Sequence, residues 1–155
     1  MRVLVVDNDR DTADMLVMLL RLKQCDVRVA YDARSGLEEA TKFEPDLLLA
    51  DLAMPHMSGN ELARQVRQHR SLDRTILAAL TGYADAKNRE LATAAGFTEY
   101  LVKPLPVQTL CELLLRVSAR VAASQAAIEE SAHQADLANA IARRSIRLLW
   151  ERETG

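Results

Sequence analysis

Short apolar runs recur through the first two thirds of the chain, at residues 3–6, 27–30, 47–50, 76–80 and 99–102. Each is too short for a helix and carries little internal polarity. That is the texture of parallel strands buried on both faces. Longer segments with helical spacing lie between them. In the first, Ala13, Leu16, Leu19 and Leu20 share one side, and Asp11, Asp14 and Arg21 lie elsewhere. The second spans 35–43 and is expected to stop at Glu44-Pro45, because a proline disfavours helix in the residue before it. The third spans 59–68 around Leu62, Ala63 and Val66, and the fourth spans 84–95 and closes on Gly96. Pro104 and Pro106 punctuate the chain before a fifth helix. The pattern predicts (βα)5, an open doubly wound parallel sheet of five strands with helices on both faces.

From Val107 onward the texture changes. There is no Gly or Pro before Gly155, and Ala, Leu and Arg dominate. One helix into the low 150s would extend well beyond the domain; the alternative is a break near 129–134 with a hairpin. A heptad places Leu114, Val121, Ile128, Ala135, Ala142 and Leu149 at one core position. Val117, Ser124, Ser131, Ala138 and Ser145 fill the other, and the three serines weaken the seam. The expected organisation is a domain over 1–118 and a helical extension over 119–155. At 155 residues, with 49% hydrophobic and 27% charged positions, the chain suits one folded domain with an appendage. A net charge of -2 gives no reason to expect nucleic-acid binding. Cys25 and Cys111 form neither a CxxC pair nor a metal cluster, and no signal peptide or membrane-length apolar run occurs. A cytoplasmic protein is expected.

The acids stand where the strands end. Asp7 follows the first run and Asp9 comes two residues later; Asp51 ends the third, Thr81 the fourth and Lys103 the fifth. In a parallel sheet these positions converge on one rim, beyond the carboxyl ends of the strands. Clustered carboxylates repel, and a hard divalent cation bound through oxygens relieves that. Mg²⁺ needs only one or two carboxylates and keeps several waters. A lysine and a hydroxyl alongside supply donors for a phosphoryl group, with Asp51 as candidate nucleophile.

These residues sit in VLVVDND at 3–9, DLAMP at 51–55 with SG at 58–59, ALTGY at 79–83 and YLVKP at 100–104. In that order and spacing they closely resemble the receiver domain of two-component response regulators over residues 1 to 118. The resemblance implies a flavodoxin-like fold with strand order 2-1-3-4-5. It implies that Asp51 accepts a phosphoryl group from a histidine kinase or histidine phosphotransfer protein. It also implies Mg²⁺ held by Asp7, Asn8, Asp51 and the backbone carbonyl of Ala53, with Asp9 as possible support. Lys103 would pair with phosphoryl oxygens, Thr81 would donate its hydroxyl, and Tyr100 would follow as an aromatic switch. A partner or dimer surface would include Pro55, Tyr83, Tyr100, Lys103 and Pro104.

The family usually has two adjacent acids after the first strand, and here the second is Asn8, which offers a carbonyl oxygen without charge. That predicts weaker metal affinity and keeps a rival reading open, a pseudo-receiver interaction module that does not use phosphorylation. Ala53 and Tyr83 occupy places where the family tunes hydrolysis; Tyr83 either shields the acyl phosphate or is an exposed loop ring. His56, His69 and His133 read as solvated residues, and one helix of tail cannot build a phosphotransfer bundle. Arg143, Arg144 and Arg147 are flanked by Asp136, Glu151 and Glu153, so DNA binding is not expected. The tail is also too short for a typical winged-helix output domain. The output is expected to be a protein effector or self-association through the C-terminal helix, without separate substrate turnover.

Overall fold

The computed structural model describes residues 1–153. Its strands are β1 (Arg2–Val6), β2 (Asp26–Ala30), β3 (Leu47–Asp51), β4 (Ile76–Thr81) and β5 (Glu99–Val102). Its helices are α1 (Arg10–Leu22), α2 (Ala33–Phe43), α3 (Gly59–Val66), α4 (Ala86–Ala95) and α5 (Val107–Glu153), with a 3₁₀ turn at Arg70–Leu72. All strand pairs are parallel, in the order β2-β1-β3-β4-β5. Right-handed crossovers then require α1 and α5 on one face and α2, α3 and α4 on the other.

Alternation along the strands divides the core accordingly. Leu4, Val6, Leu48, Ala50, Leu77 and Ala79 share one cluster with Phe43 of α2, Leu62 and Val66 of α3, and Ala92 and Ala95 of α4. Val3, Val5, Leu47, Leu49 and Leu80 point the other way and are equally buried, as are Leu16 and Leu20 of α1 and Leu110 and Leu113 of α5. Coverage on both faces explains why β1, β3 and β4 read as unbroken apolar runs.

Element ends follow local chemistry. Asp32 and Asp85 cap α2 and α4 by accepting from the N–H groups of Ser35 and Asn88. The cap at Asp85 starts α4 two residues later than the apolar pattern suggests. Ser58 and Glu61 form a reciprocal capping box on α3. The end of α2 comes from Glu44 itself, which takes a left-handed conformation (φ 48°) before Pro45. Arg67, just after α3, donates to the carbonyls of Thr75 (2.9 Å) and Gly96 (3.0 Å), tying the turns before β4 and β5 together.

Two compact units are present, Met1–Val117 and Ser118–Gly155. Within the second, the chain continues α5 as helix to Glu153, so the hairpin alternative is not adopted. Its residues up to Arg152 are exposed except Val121, which is partly buried.

Candidate functional site

Strand register builds the site. Val6 is level with Ala50, so Asp7, one step beyond β1, stands level with Asp51. Asp51 pairs with Leu80, which puts Thr81 one step further out on β4. Thr81 pairs with Val102, which puts Lys103 one step beyond β5. Four chain segments therefore deliver residues 7, 51, 81 and 103 to one rim of the sheet.

Lys103 closes this arrangement. Its Nζ lies 2.8 Å from Asp7 Oδ2 and 3.5 Å from Asp51 Oδ1. Asp7 is fully buried and Asp51 is 7% exposed. Two buried carboxylates share one ammonium, so the rim carries net negative charge. Burial raises the Asp51 pKa above the usual carboxylate range; the neighbouring Asp7 adds to this, and Lys103 opposes it. Burial alone would lower the Lys103 pKa, but its hydrogen bond to Asp7 and the charges of Asp51 and Asp7 outweigh that and raise it. Backbone also positions these carboxylates: Asp7 Oδ1 accepts from the Asp9 N–H at 2.9 Å, and Asp51 Oδ1, the oxygen nearest Lys103, accepts from the Ala53 N–H at 3.3 Å.

The loop after β3 is pinned under this rim. Gly59 N–H donates to the Leu52 carbonyl, and a Cβ at Gly59 would come 2.8 Å from Leu52 Cα. Thr81 is buried, and its Oγ1 accepts from the Tyr83 N–H at 3.0 Å, leaving its O–H free in direction. Tyr100 donates its hydroxyl to the Tyr83 carbonyl at 2.7 Å. Pro55, Tyr83 and Pro104 are exposed, while Tyr100 and Lys103 are partly so. Asp9 is the exposed N-cap residue of α1, and its Oδ2 accepts from Thr12 Oγ1 at 2.7 Å. This bond lowers the Asp9 pKa.

The sequence reading missed Arg89, whose guanidinium lies 5.2 Å over the Tyr100 ring. The only linear signal was its place in α4, whose weak apolar periodicity hides which side faces β5. Among the described residues, no group of three or more His, Cys, Asp or Glu side chains is placed to hold a metal ion. The donor set is two carboxylates, with the Asn8 amide and the Ala53 carbonyl adjoining them in the chain. That set fits Mg²⁺, which is satisfied by one or two carboxylates and otherwise holds water.

Comparison with known proteins identifies this architecture. The family model for the response regulator receiver domain matches residues 3–115. The chain belongs to the response regulator receiver family. A 14.6 kDa protein of Leptolyngbya boryana is 39% identical over 114 residues, covering 74% of this chain and 87% of that one. The response regulator ArlR of Staphylococcus saprophyticus is 31% identical over 76% of this chain. The DNA-binding response regulator MtrA of Mycobacterium tuberculosis is 34% identical over 77%. The match spans 51% of ArlR and 50% of MtrA, about half of each. Among solved structures, the chemotaxis response regulator CheY4 of Vibrio cholerae superposes with a TM-score of 0.71 at 32% identity, covering 75% of this chain and 97% of that one. The family model lies within the Met1–Val117 unit.

Proposed function

We propose that this receiver takes a phosphoryl group on Asp51 from a histidine kinase or phosphotransfer protein, in a Mg²⁺-dependent reaction. The observation that carries this reading is Lys103 reaching both Asp7 and Asp51 at the strand rim. An Asp51 oxygen attacks phosphorus; the phosphorus–nitrogen bond of the donor breaks, and an acyl phosphate forms on the carboxylate. Lys103 is within reach of the added negative charge, and its hydrogen bond to Asp7 holds its ammonium at the rim. The Thr81 hydroxyl, held through its oxygen by Tyr83 N–H, has its proton to donate to a phosphoryl oxygen. When bound, Mg²⁺ supplies the positive charge that two acids and a phosphoryl group require; Asp7, Asn8, Asp51 and the Ala53 carbonyl would hold it. Asp9 is a weaker candidate, because Thr12 already engages its carboxylate.

The modified rim then biases Tyr100, whose hydroxyl is tied to the Tyr83 carbonyl beside Thr81. A protein effector reads the surface around Pro55, Tyr83, Tyr100, Lys103 and Pro104, and the C-terminal helix adds self-association. The protein acts as a cytoplasmic switch without separate substrate turnover. One observation favours the pseudo-receiver alternative: Asn8 brings no charge where a second acid would stand. Phosphate-affinity electrophoresis after acetyl phosphate treatment separates the two. We expect a shifted band that requires Mg²⁺ and vanishes in Asp51→Asn. No shift at any Mg²⁺ concentration would leave the interaction module as the reading.

A further inference from the structure

The last turns of α5 carry a pattern that the receiver chemistry does not use. Leu137, Ile141, Ile146, Leu148, Leu149 and Trp150 each keep 52–67% of their surface exposed. They stand within fourteen residues, whereas residues 118–136 hold only two large apolar side chains, Val121 and Ile128. A concentration of this kind marks an interaction face, unlike apolar side chains scattered singly. Charge changes sign over the same boundary. Residues 118–136 carry Arg120 against Glu129, Glu130 and Asp136; residues 137–153 carry Arg143, Arg144, Arg147 and Arg152 against Glu151 and Glu153.

Helix geometry sorts these residues into two faces. At about 100° per residue, Leu137, Leu148, Ile141, Leu149 and Ile146 follow one another around about half the circumference, with two alanines and Ser145 between them. Arg152 and Glu153, at the helix end, are the only charges in this sector. Arg143 and Arg147 centre the opposite face, where Glu151 is the one acid. Arg144 stands at one border of the apolar sector and Trp150 at the other. A helix that fits a protein groove needs only a narrow stripe at i, i+3, i+4 and i+7. A half-circumference apolar sector backed by arginines, with tryptophan at its edge, matches a helix lying in the plane of a lipid interface. No helix among the described residues is long and apolar enough to cross a membrane, so the segment lies in the surface and does not span it. We propose that residues 137–152 form an in-plane anchor that docks on an anionic phospholipid bilayer. Lipid phosphates complement Arg143, Arg144 and Arg147, and the acyl boundary covers the leucines and isoleucines. The Arg144 stem lies along the apolar sector while its guanidinium reaches the headgroups. Glu129, Glu130 and Asp136 set the N-terminal limit of the anchor, because an anionic surface repels them. The inference goes beyond the switch chemistry at Asp51 and does not depend on it.

The test uses the full chain and phosphatidylcholine vesicles with and without an equal share of phosphatidylglycerol. Trp150 is the only tryptophan, so its emission reports this segment alone. The chain is expected to sediment with the phosphatidylglycerol vesicles, and its emission to move to shorter wavelength. Affinity for the neutral vesicles should be lower by about tenfold or more. Arg143→Gln with Arg147→Gln should weaken binding to the anionic vesicles by about tenfold or more. Ile141→Ala with Leu148→Ala keeps charge and helix propensity, and should also weaken it by about tenfold or more. No sedimentation at low salt overturns the proposal, as does equal affinity for neutral vesicles. Indifference to the alanine pair would mean that the arginines adsorb without burying the apolar sector, which refutes an in-plane anchor. A dimer by light scattering, with Trp150 emission already at short wavelength and unmoved by vesicles, would give the face to a second copy and sink the proposal. Acetyl phosphate labelling of the same variants reports the receiver separately, so failure of anchoring and failure of phosphorylation are distinguishable.

Discussion

Asp51 is 7% exposed and stands beside a second, fully buried acid, with one ammonium between them. Its pKa is raised in the folded protein, so its charged form opposes folding. For a raised carboxyl, the stabilising contribution is present below the unfolded value, near 3.8, and is lost as pH rises through the folded value. Asp51→Asn removes that loss while keeping shape and a carbonyl oxygen. We expect the variant to be more stable than wild type near neutral pH by about 1 kcal/mol, with the gap closing toward pH 4. Urea unfolding at several pH values measures it. A gap that is constant with pH would mean that the charge of Asp51 is not the cause. Asn8 poses the complementary question. Mg²⁺ binding the folded state should raise the melting temperature by mass action. Asn8→Asp adds one ligand charge and is expected to bind Mg²⁺ about tenfold more tightly. Calorimetric titration suits this better than intrinsic fluorescence, because Trp150 lies in the tail. Equal affinities would show that the missing charge does not limit the site.

At the scale of elements, the apolar runs located all five strands: the central β1, β3 and β4 read as unbroken runs because both faces are covered, while the edge strands β2 and β5 stay recognisable although they include Arg28 and Glu99. Strand position then made the rim legible: Asp7, Asp51, Thr81 and Lys103 are each the last residue of a strand or the next one. What the chain does not display linearly is contact chemistry. Tyr83 meets Thr81 through its backbone N–H, which no side-chain pattern announces. Arg89 meets Tyr100 across two elements. Helix starts shifted by two residues where Asp85 capped α4 and Asp32 capped α2, whereas the end of α2 at Phe43 is the one the sequence predicts. The start of α3 was legible in SG, but not the reason for its glycine. Gly59 lets the helix N-terminus press against the Asp51–Leu52 backbone, where a Cβ would meet main chain that cannot yield cheaply. Gly59→Ala is therefore expected to destabilise the receiver by about 3 kcal/mol and to displace the loop carrying Ala53. Chemical denaturation checks the first effect, and a slower acetyl phosphate reaction checks the second. A loss under 1 kcal/mol would mean that the loop relaxes freely.

At the scale of the whole molecule, α5 serves two different environments within one uninterrupted helix. Leu110, Leu113, Leu114 and Val117 are buried, and they complete the core of the Met1–Val117 unit. Between them Leu115 points outward and is 71% exposed, and beyond them the tail side chains from Ser118 to Arg152 are exposed except Val121, which is partly buried. Burial of apolar side chains, rather than helix continuity, sets where stability resides. A chain ending at Ala119 should therefore unfold cooperatively in urea, with stability within about 0.5 kcal/mol of the full chain measured as a monomer. Ending it at Pro106 removes four buried side chains, each worth about 1.5–3 kcal/mol, and approaches the whole stability of a domain this size. That shorter chain is expected to show no cooperative transition. If both truncations unfolded alike, the first turns of α5 would not belong to the core. If the Ala119 chain lost several kcal/mol, the exposed tail would be contributing to the receiver's stability.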